Sequence, residues 1–274
     1  MYQKAYGIIE TLSPLHVGAT AGEENGNLNL IFRDQFTQTG IIPGSSLRGR
    51  FRAEMRFRDG QDENEWYGHE AESGVTDSTT ESRVKFEYAS IAWLPVFCPG
   101  QPVVWVSCPR LLQRYKRIAG ISDELPELYT ASQSLNAPQI DGQYKLFFNF
   151  GFLKLGEKKN LQAWFPDKKE RPAVIVKDDE ISMIHDMALY RQSRVKLHDD
   201  EKKVEHFFNV EALPESTIMV FPVAVRTKED LQSWPPFGDN ATNEDEMYFG
   251  GLESIGFGHC SVNLYRKRQD SNTI

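Results

Sequence analysis

The segment that most constrains the fold lies between residues 46 and 58, because two kinds of side chain recur there at helical spacing. Apolar residues recur every four positions and arginines follow one position behind: Leu47, Phe51 and Met55, and then Arg48, Arg52 and Arg56. This pattern predicts an amphipathic helix with an apolar stripe and an adjacent arginine stripe. Ser45 or Ser46 is expected to cap its N-terminus, and Gly49 to let a backbone or a ligand approach closely.

Segments rich in β-branched and aromatic residues predict strands on both sides of this helix. They are residues 2–12, 84–93, 103–108, 145–155, 173–176, 217–225 and 261–265. Further helices are expected from Pro109 to Gly120 and from Asp179 to Arg191. Because strands and helices follow no regular βαβ rhythm, the sequence favours an α+β fold.

The chain is predicted to form a single domain over residues 1–274 with a flexible insertion at about 59–82. That stretch combines Asp-Gly, Glu/Asp and Ser/Thr clusters, a composition that rarely packs. Cys98, Cys108 and Cys260 match no zinc or redox motif and are interpreted as buried thiols. No apolar run is long enough to span a bilayer, and the N-terminus lacks the pattern of a signal peptide. A cytoplasmic protein without membrane partners is expected.

The net charge of −8 argues against a protein that coats nucleic acid with its whole surface. A local basic patch nevertheless exists, since five arginines and one glutamate fall between Arg48 and Arg58. Arginine pairs bidentately with phosphate, and a helix N-terminus adds N–H groups and a positive dipole end. The alternative is a solvated helix face ion-paired to nearby acidic loops.

Near the C-terminus, four glycines fall within nine residues: Gly250, Gly251, Gly256 and Gly258. Such a loop can approach a ligand and offer N–H groups to phosphate, or it can be a tight turn between strands. A strand-like segment follows it, which argues against a dinucleotide site. Of the six histidines, His16 lies in another glycine-rich loop, and no pair has metal-ligand spacing.

Three segments, in this order, resemble the signature regions of the RAMP superfamily. They are Ser13-Pro14-Leu15-His16-Val17-Gly18, Ile42-Pro43-Gly44-Ser45-Ser46-Leu47-Arg48-Gly49, and Gly250-Gly251 through Gly256-Phe257-Gly258. Residues 104–115 and 212–217 are similar to the corresponding stretches of the backbone subunit of type III-B (Cmr-type) CRISPR effector complexes. The type III-A backbone subunit is the alternative.

This resemblance implies a modified ferredoxin-like fold, related to the RNA-recognition motif, with inserted loops that form a thumb within about 156–213. It also implies a filament along CRISPR RNA, with target RNA, other copies of the chain and other type III effector subunits as partners. The positions that the resemblance assigns to RNA are Ser45, Ser46, Arg48, Arg52, Arg56, Gly256 and Gly258. Contacts of this kind address the RNA backbone, so any guide sequence would be accepted.

In catalytic relatives, an aspartate in the loop before the arginine-bearing stretch supports metal-dependent cleavage of the paired target RNA. This sequence has Leu28 at that position, between Asn27 and Asn29. An amide cannot carry the negative charge that favours Mg²⁺ or Mn²⁺ binding, although Glu23, Glu24 or Asp34 are possible substitutes. Such a metal is expected only if the chain is catalytic, and otherwise no cofactor is expected.

Three functions therefore remain open from the sequence. The chain is a target-cleaving endoribonuclease subunit, or a scaffold subunit that only binds RNA. The third function is a metal-independent guide-processing RNase in which His16 is the general acid or base.

Overall fold

The computed structural model describes residues 2–18, 28–57, 62–69, 80–197, 204–237 and 243–266. The strands in these ranges are β1 (Gln3–Thr11), β2 (Leu28–Asn29), β3 (Ile41–Ile42), β4 (Val84–Phe86), β5 (Ala89–Cys98), β6 (Gln101–Ser107), β7 (Ala131–Ser132), β8 (Gln139–Ile140), β9 (Gln143–Phe148), β10 (Gly151–Lys154), β11 (Lys158–Lys159), β12 (Ala173–Ile175), β13 (Tyr190–Leu197), β14 (Val204–Ala212), β15 (Ile218–Val225), β16 (Glu244–Tyr248) and β17 (His259–Arg266). The helices are α1 (Gly44–Arg56), α2 (Glu63–Tyr67), α3 (Pro109–Ala119), α4 (Ile181–Ala188) and α5 (Lys228–Ser233). Within these ranges, no helix combines the length and the apolar character needed to cross a membrane.

A central sheet organises the molecule, with the strand order β11-β7-β12-β6-β5-β15-β1-β17-β16. Two short strands extend it, since β3 pairs with β5 and β4 pairs with β15. The neighbours of β1 are β15 and β17, both antiparallel. Helices and a mostly antiparallel sheet without a βαβ rhythm confirm the α+β prediction.

The helices α1 and α3 cover opposite faces of this sheet. Successive residues of a strand point to opposite faces, and Ile8 and Ile9 of β1 enter separate hydrophobic clusters. Ile9 packs in the cluster that contains Phe51 of α1, whereas Ile8 packs in the cluster that contains Leu112 of α3. The residues on α1 and on α3 therefore face different sides of the molecule.

Helix α1 confirms the predicted apolar stripe, because Leu47, Phe51 and Met55 are buried. The predicted serine cap is wrong. The helix begins at Gly44 after Pro43, whose φ of −55° and ψ of 146° place it outside the helix, and no side chain caps the end. Because the chain already turns into the helix at Pro43, Ser45 and Ser46 both lie inside the first turn.

The prediction of a flexible loop at 59–82 is wrong for residues 63–67, which form helix α2. The carboxylate of Asp62 accepts a hydrogen bond from the N–H of Asn64 and caps this helix. Trp66 and Tyr67 are buried, and the indole N–H of Trp234 donates to the hydroxyl of Tyr67 at 3.1 Å. Two aromatic side chains thus anchor a segment whose overall composition is polar. Residues 58–61 and 70–79 lie outside the described part of the chain.

Residues 145–155 form a hairpin rather than the predicted single strand. β9 and β10 pair antiparallel on either side of Asn149 and Phe150 and, together with β8, form a small separate sheet. Another sheet contains β13, β14 and β2. The β13–β14 hairpin falls within the range expected for a thumb, and that assignment, like the single-domain boundaries, stays a prediction.

Candidate functional site

The structure brings together the loop at 13–18 and the glycine-rich segment at 250–258, which lie far apart in the sequence. The N–H of Gly258 donates to the carbonyl of Pro14 at 2.9 Å, and the N–H of Gly251 donates to the carbonyl of His16 at 3.0 Å. Two of the segments that carry the family resemblance therefore form one continuous surface.

Close approach explains two of the glycines in this segment. A Cβ at Gly250 would overlap the carbonyl oxygen of His16, and one at Gly258 would overlap the carbonyl oxygen of Phe249. Both residues also have positive φ, 77° and 84°, which disfavours other residue types. Gly251 and Gly256 differ, because nothing lies within 4 Å of a Cβ built at either position. The segment is thus tightly packed at Gly250 and Gly258 and leaves space for a side chain at Gly251 and Gly256, of which only Gly256 is exposed.

Helix α1 lies beside this turn. The guanidinium of Arg50 is 3.9 Å from the carboxylate of Glu253, and the rings of Phe51 and Phe249 are 6.5 Å apart between centroids. The third segment of the resemblance therefore joins the other two.

The outward side of α1 carries small residues. Ser45, Ser46 and Gly49 are exposed, and nothing lies within 4 Å of a Cβ built at Gly49. At 100° per residue, Ser46 and Gly49 lie opposite the buried stripe, with Arg48 on one flank and Arg50 on the other. We call the small residues Ser45, Ser46, Gly49, Gly251 and Gly256 the α1–glycine-loop face; Gly251 is half-buried and the other four are exposed.

The arginine stripe of α1 turns toward helix α2. Arg48 donates from Nε to the carbonyl of Tyr67 at 3.0 Å, Arg52 donates to the side-chain oxygen of Asn64 at 2.7 Å, and Arg56 donates to Glu63 at 3.0 Å. The Arg56–Glu63 ion pair is the contact expected if the arginine stripe is a solvated helix face paired with nearby acidic residues. RNA contacts by Arg48, Arg52 and Arg56 stay a prediction, and any such contact would have to share or displace these partners.

The segment expected to hold the catalytic aspartate lies against the β13–β14 hairpin. Leu28 and Asn29 form β2, whose backbone pairs with Asn209 and Val210 of β14. Asn29 is half-buried. Asn27, Glu23 and Glu24 lie outside the described part of the chain. The proposed catalytic roles of Asn27, Leu28 and Asn29 stay predictions.

Asp34 is engaged in its own turn. Its Oδ1 accepts hydrogen bonds from the N–H groups of Phe36 at 3.0 Å and Thr37 at 2.8 Å, and from the hydroxyl of Thr37 at 3.0 Å. Burial opposes ionisation, but these hydrogen bonds outweigh it and hold the pKa of Asp34 below its usual 3.8. Asp34 is therefore a turn-capping carboxylate, which does not fit the role of a substitute metal ligand.

The carboxylates nearest β2 are held by arginines. Arg33 donates to Asp186 at 2.5 Å and to Glu211 at 3.1 Å, and Arg191 lies 3.3 Å from the second oxygen of Glu211. The side chain of Glu211 is only 5% exposed. In the ranges that the structure describes, no three acidic, histidine or cysteine side chains are grouped as metal ligands. These residues do not fit a site for Mg²⁺ or Mn²⁺.

Two histidines lie beside these arginines and carboxylates. Nδ1 of His16 donates to the carbonyl of Glu211 at 2.6 Å, and Nε2 of His185 accepts from the N–H of Gly40 at 3.0 Å. Nδ1 of His185 lies 3.5 Å from Asp186, too far for a strong hydrogen bond. Burial lowers the pKa of His185, whose ring is fully enclosed.

We call Arg33, His185, Asp186, Arg191 and Glu211 the Arg33 network. No pattern in the sequence predicts this network, because its members are spread over the chain from residue 33 to residue 211 and no periodicity connects them. The only local signal was a histidine followed directly by an aspartate at 185–186. His16 is buried beside this network, where its ring bonds to the backbone carbonyl of Glu211. Its proposed catalytic role stays a prediction.

Comparisons with known proteins identify a family and similar folds. A model of the RAMP superfamily matches residues 8–261. The fold is similar to a chain of the type III-B Cmr-beta complex in its apo state (TM-score 0.71, 17% identity, 96% of this chain and 97% of that chain). It is also similar to oligomeric Cmr4 from Pyrococcus furiosus (TM-score 0.69, 17% identity, 98% and 100%) and to a chain of Cmr-beta bound to cognate target RNA (TM-score 0.70, 18% identity, 95% and 96%). No curated protein matches the chain in sequence.

Proposed function

This chain belongs to the RAMP superfamily, and we propose that within it the chain is a guide-RNA-binding backbone subunit of a type III-B CRISPR effector complex. The similar solved structures are Cmr4 and Cmr-beta chains, one of them oligomeric and one in a complex with target RNA. They support a type III-B assignment, and they support CRISPR RNA, target RNA, other copies of the chain and other effector subunits as partners.

The α1–glycine-loop face carries this proposal. A phosphate backbone needs a surface without obstructing side chains and with N–H donors and cations beside it. The exposed positions Ser46, Gly49 and Gly256 supply the open surface. The N-terminal turn of α1 adds backbone N–H groups and the positive end of the helix dipole. Arg48 and Arg50 flank the strip, and because Arg50 is paired with Glu54 whereas Arg48 donates to the neutral carbonyl of Tyr67, the positive charge beside the strip comes mainly from Arg48.

We propose a scaffold role without target cleavage. Leu28 has no side-chain oxygen to offer a metal, Asp34 caps a turn, and Glu211 is neutralised by Arg33 and Arg191. In this chain the described residues would bind and orient RNA along α1, and the Arg33 network would hold β2 against the β13–β14 hairpin.

The test is RNA binding by the variants Ser46→Glu and Gly49→Glu, measured by fluorescence anisotropy with a labelled guide RNA. Each change places a negative charge on the outward strip, so we expect affinity to fall by about tenfold per substitution. Because glutamate favours helix more than glycine does, Gly49→Glu should not unfold α1. An unchanged affinity in both variants would contradict the proposed binding face.

The matched control is Gln113→Glu, which adds the same charge to an exposed position of α3 on the opposite side of the sheet. We expect its RNA affinity to stay close to that of the parent chain. The scaffold role further predicts that guide-paired target RNA stays intact when magnesium or manganese is present. Metal-dependent cuts would assign the chemistry to acidic residues outside the described part of the chain, with Glu23 and Glu24 as the first candidates.

A further inference from the structure

The β9–β10 hairpin has one buried face and one outward face. Leu146, Phe148 and Leu153 are buried in the core cluster. By the alternation of strands, the neighbouring residues Lys145, Phe147, Phe152 and Lys154 point the other way. The register places Phe147 opposite Phe152 and Lys145 opposite Lys154. The outward face is therefore a pair of aromatic rings next to a pair of lysines.

Phe152 is 49% exposed, and Phe147 is half-buried. The centroids of the two rings lie 6.1 Å apart. At the hairpin turn, Phe150 is 42% exposed and stacks on Phe148. Large apolar rings grouped at a surface usually mark a binding site.

The charge on this face is unusual for the chain. Between Gln143 and Lys154 there are two lysines and no acidic residue, whereas the whole chain has a net charge of −8. Lys145 and Lys154 are directly opposite each other, an arrangement that costs free energy in a strand pair. Asp141 lies 3.5 Å from Lys145, and within the described ranges Lys154 has no ion pair. A bound anion would relieve this repulsion.

We infer that the outward face of the β9–β10 hairpin is a second binding surface for single-stranded RNA. Exposed aromatic faces stack on unpaired bases, and lysines beside them hold the phosphates. The ammonium of Lys145 lies over the Phe152 ring, 5.3 Å from its centroid, so a phosphate held by this lysine would lie close to the ring. The choice of RNA as the ligand of this surface rests on the proposed function. The positions of its lysines and aromatic rings are observed in the structure and do not depend on that function.

This surface lies away from the α1–glycine-loop face. At one end of β5, Ala89 pairs with Ile42, two residues before α1. At the other end, the thiol of Cys98 donates to the carbonyl of Phe147 at 3.1 Å. A strand of this length spans roughly 30 Å. Substitutions on the hairpin should therefore act on RNA binding separately from substitutions on α1.

The experiment compares two double variants in anisotropy titrations with a labelled oligouridine RNA at several salt concentrations. Phe147→Leu with Phe152→Leu keeps apolar side chains and removes the rings, and Lys145→Gln with Lys154→Gln removes the charges. We expect about tenfold weaker binding from the first, since stacking does not depend on salt. The second should also bind more weakly, and its salt dependence should become shallower by about one to two units of slope. Unchanged affinity and slope in both variants would overturn the inference.

Controls separate this inference from the proposed function. Phe36→Leu and Lys228→Gln remove an exposed ring and an exposed lysine elsewhere, and we expect neither to change binding. Gly49→Glu is titrated in parallel. A loss of affinity in Gly49→Glu alone would support the α1–glycine-loop face and refute the hairpin surface. A loss in the hairpin variants alone would support the hairpin surface and refute the α1 face. Hairpin variants that alter only self-association in sedimentation would assign the face to another protein surface and overturn the RNA inference.

Discussion

The α1–glycine-loop face and the Arg33 network differ in where their charged side chains lie and in how these are paired. On the face, Ser46, Gly49 and Gly256 are small, and charged groups stand at the margins. In the network, every carboxylate has an arginine beside it, and Glu211 is buried between two of them. The first arrangement leaves donors available to an incoming polyanion, and the second leaves no net charge for a ligand to use.

The difference indicates two separate tasks. An RNA backbone has to be bound and released, which favours an open surface with peripheral cations. The network instead joins the segment after β2, helix α4 and the β13–β14 hairpin, since Arg33, Asp186 and Glu211 come from these three parts. Its contacts are those of a clamp that fixes the hairpin relative to the central sheet.

The largest expected effect comes from opening this clamp with Arg33→Met. The change leaves the buried Glu211 with one arginine and Asp186 with none, and breaking a buried ion pair in this way costs about 3 kcal/mol. We expect the free energy of unfolding in urea to fall by about that amount. RNA affinity per folded molecule should stay nearly the same, because Arg33 lies outside the α1–glycine-loop face.

The matched control is Arg56→Gln, at the margin of the face. The side chain of Arg56 is 57% exposed and pairs with Glu63, and exposed pairs of this kind contribute roughly 0.5 kcal/mol. Similar stability losses in Arg33→Met and Arg56→Gln would show that the network is no more important to the fold than a surface pair.

A second, smaller effect distinguishes glycines within the face. Gly250→Ala places a Cβ on the carbonyl of His16 and adds the strain of a positive φ, so we expect a loss of about 2 kcal/mol in stability. A Cβ at Gly256 has no other atom within 4 Å, so Gly256→Ala adds only the strain of a positive φ, and we expect a loss of about 1 kcal/mol in stability. Thermal unfolding of the two variants tests the difference, and a reversed order would contradict the division of the turn into a packed and an open part.

The sequence predicted those elements of the fold that local patterns specify. The four-residue recurrence of Leu47, Phe51 and Met55 identified α1, and proline before an amphipathic run identified α3, which begins at Pro109 and ends before Gly120 as expected. Order along the chain also identified the three family segments, which the structure brings together.

Composition led to wrong predictions where a few residues determine the structure of a whole segment. The polar stretch at 59–82 was predicted to be flexible, yet Trp66 and Tyr67 bury enough apolar surface to fix α2. A single strand was predicted at 145–155 because Asn149 and Phe150 interrupt the alternation only briefly. The partners of Arg48, Arg52 and Arg56 were unpredictable for a different reason, since only tertiary structure places α2 beside α1.

The smallest effect tests the network through pH. Burial lowers the pKa of His185 below its ordinary 6.5, and its Nε2 must be unprotonated to accept the N–H of Gly40. As the pH falls below about 6.5, the unfolded chain therefore binds a proton that the folded chain resists, and the free energy of unfolding declines. Urea titrations between about pH 7.5 and pH 5 should show this decline in the parent chain and a flatter profile in His185→Gln, whose amide can still accept from Gly40. Equal slopes would assign the pH dependence to the other histidines. Further acidification should produce a second decline below about pH 3.8, because the carboxyl of Asp186 then binds a proton in the unfolded chain, whereas in the folded chain its pKa, lowered to about 2 beside His185 and Arg33, keeps it ionised.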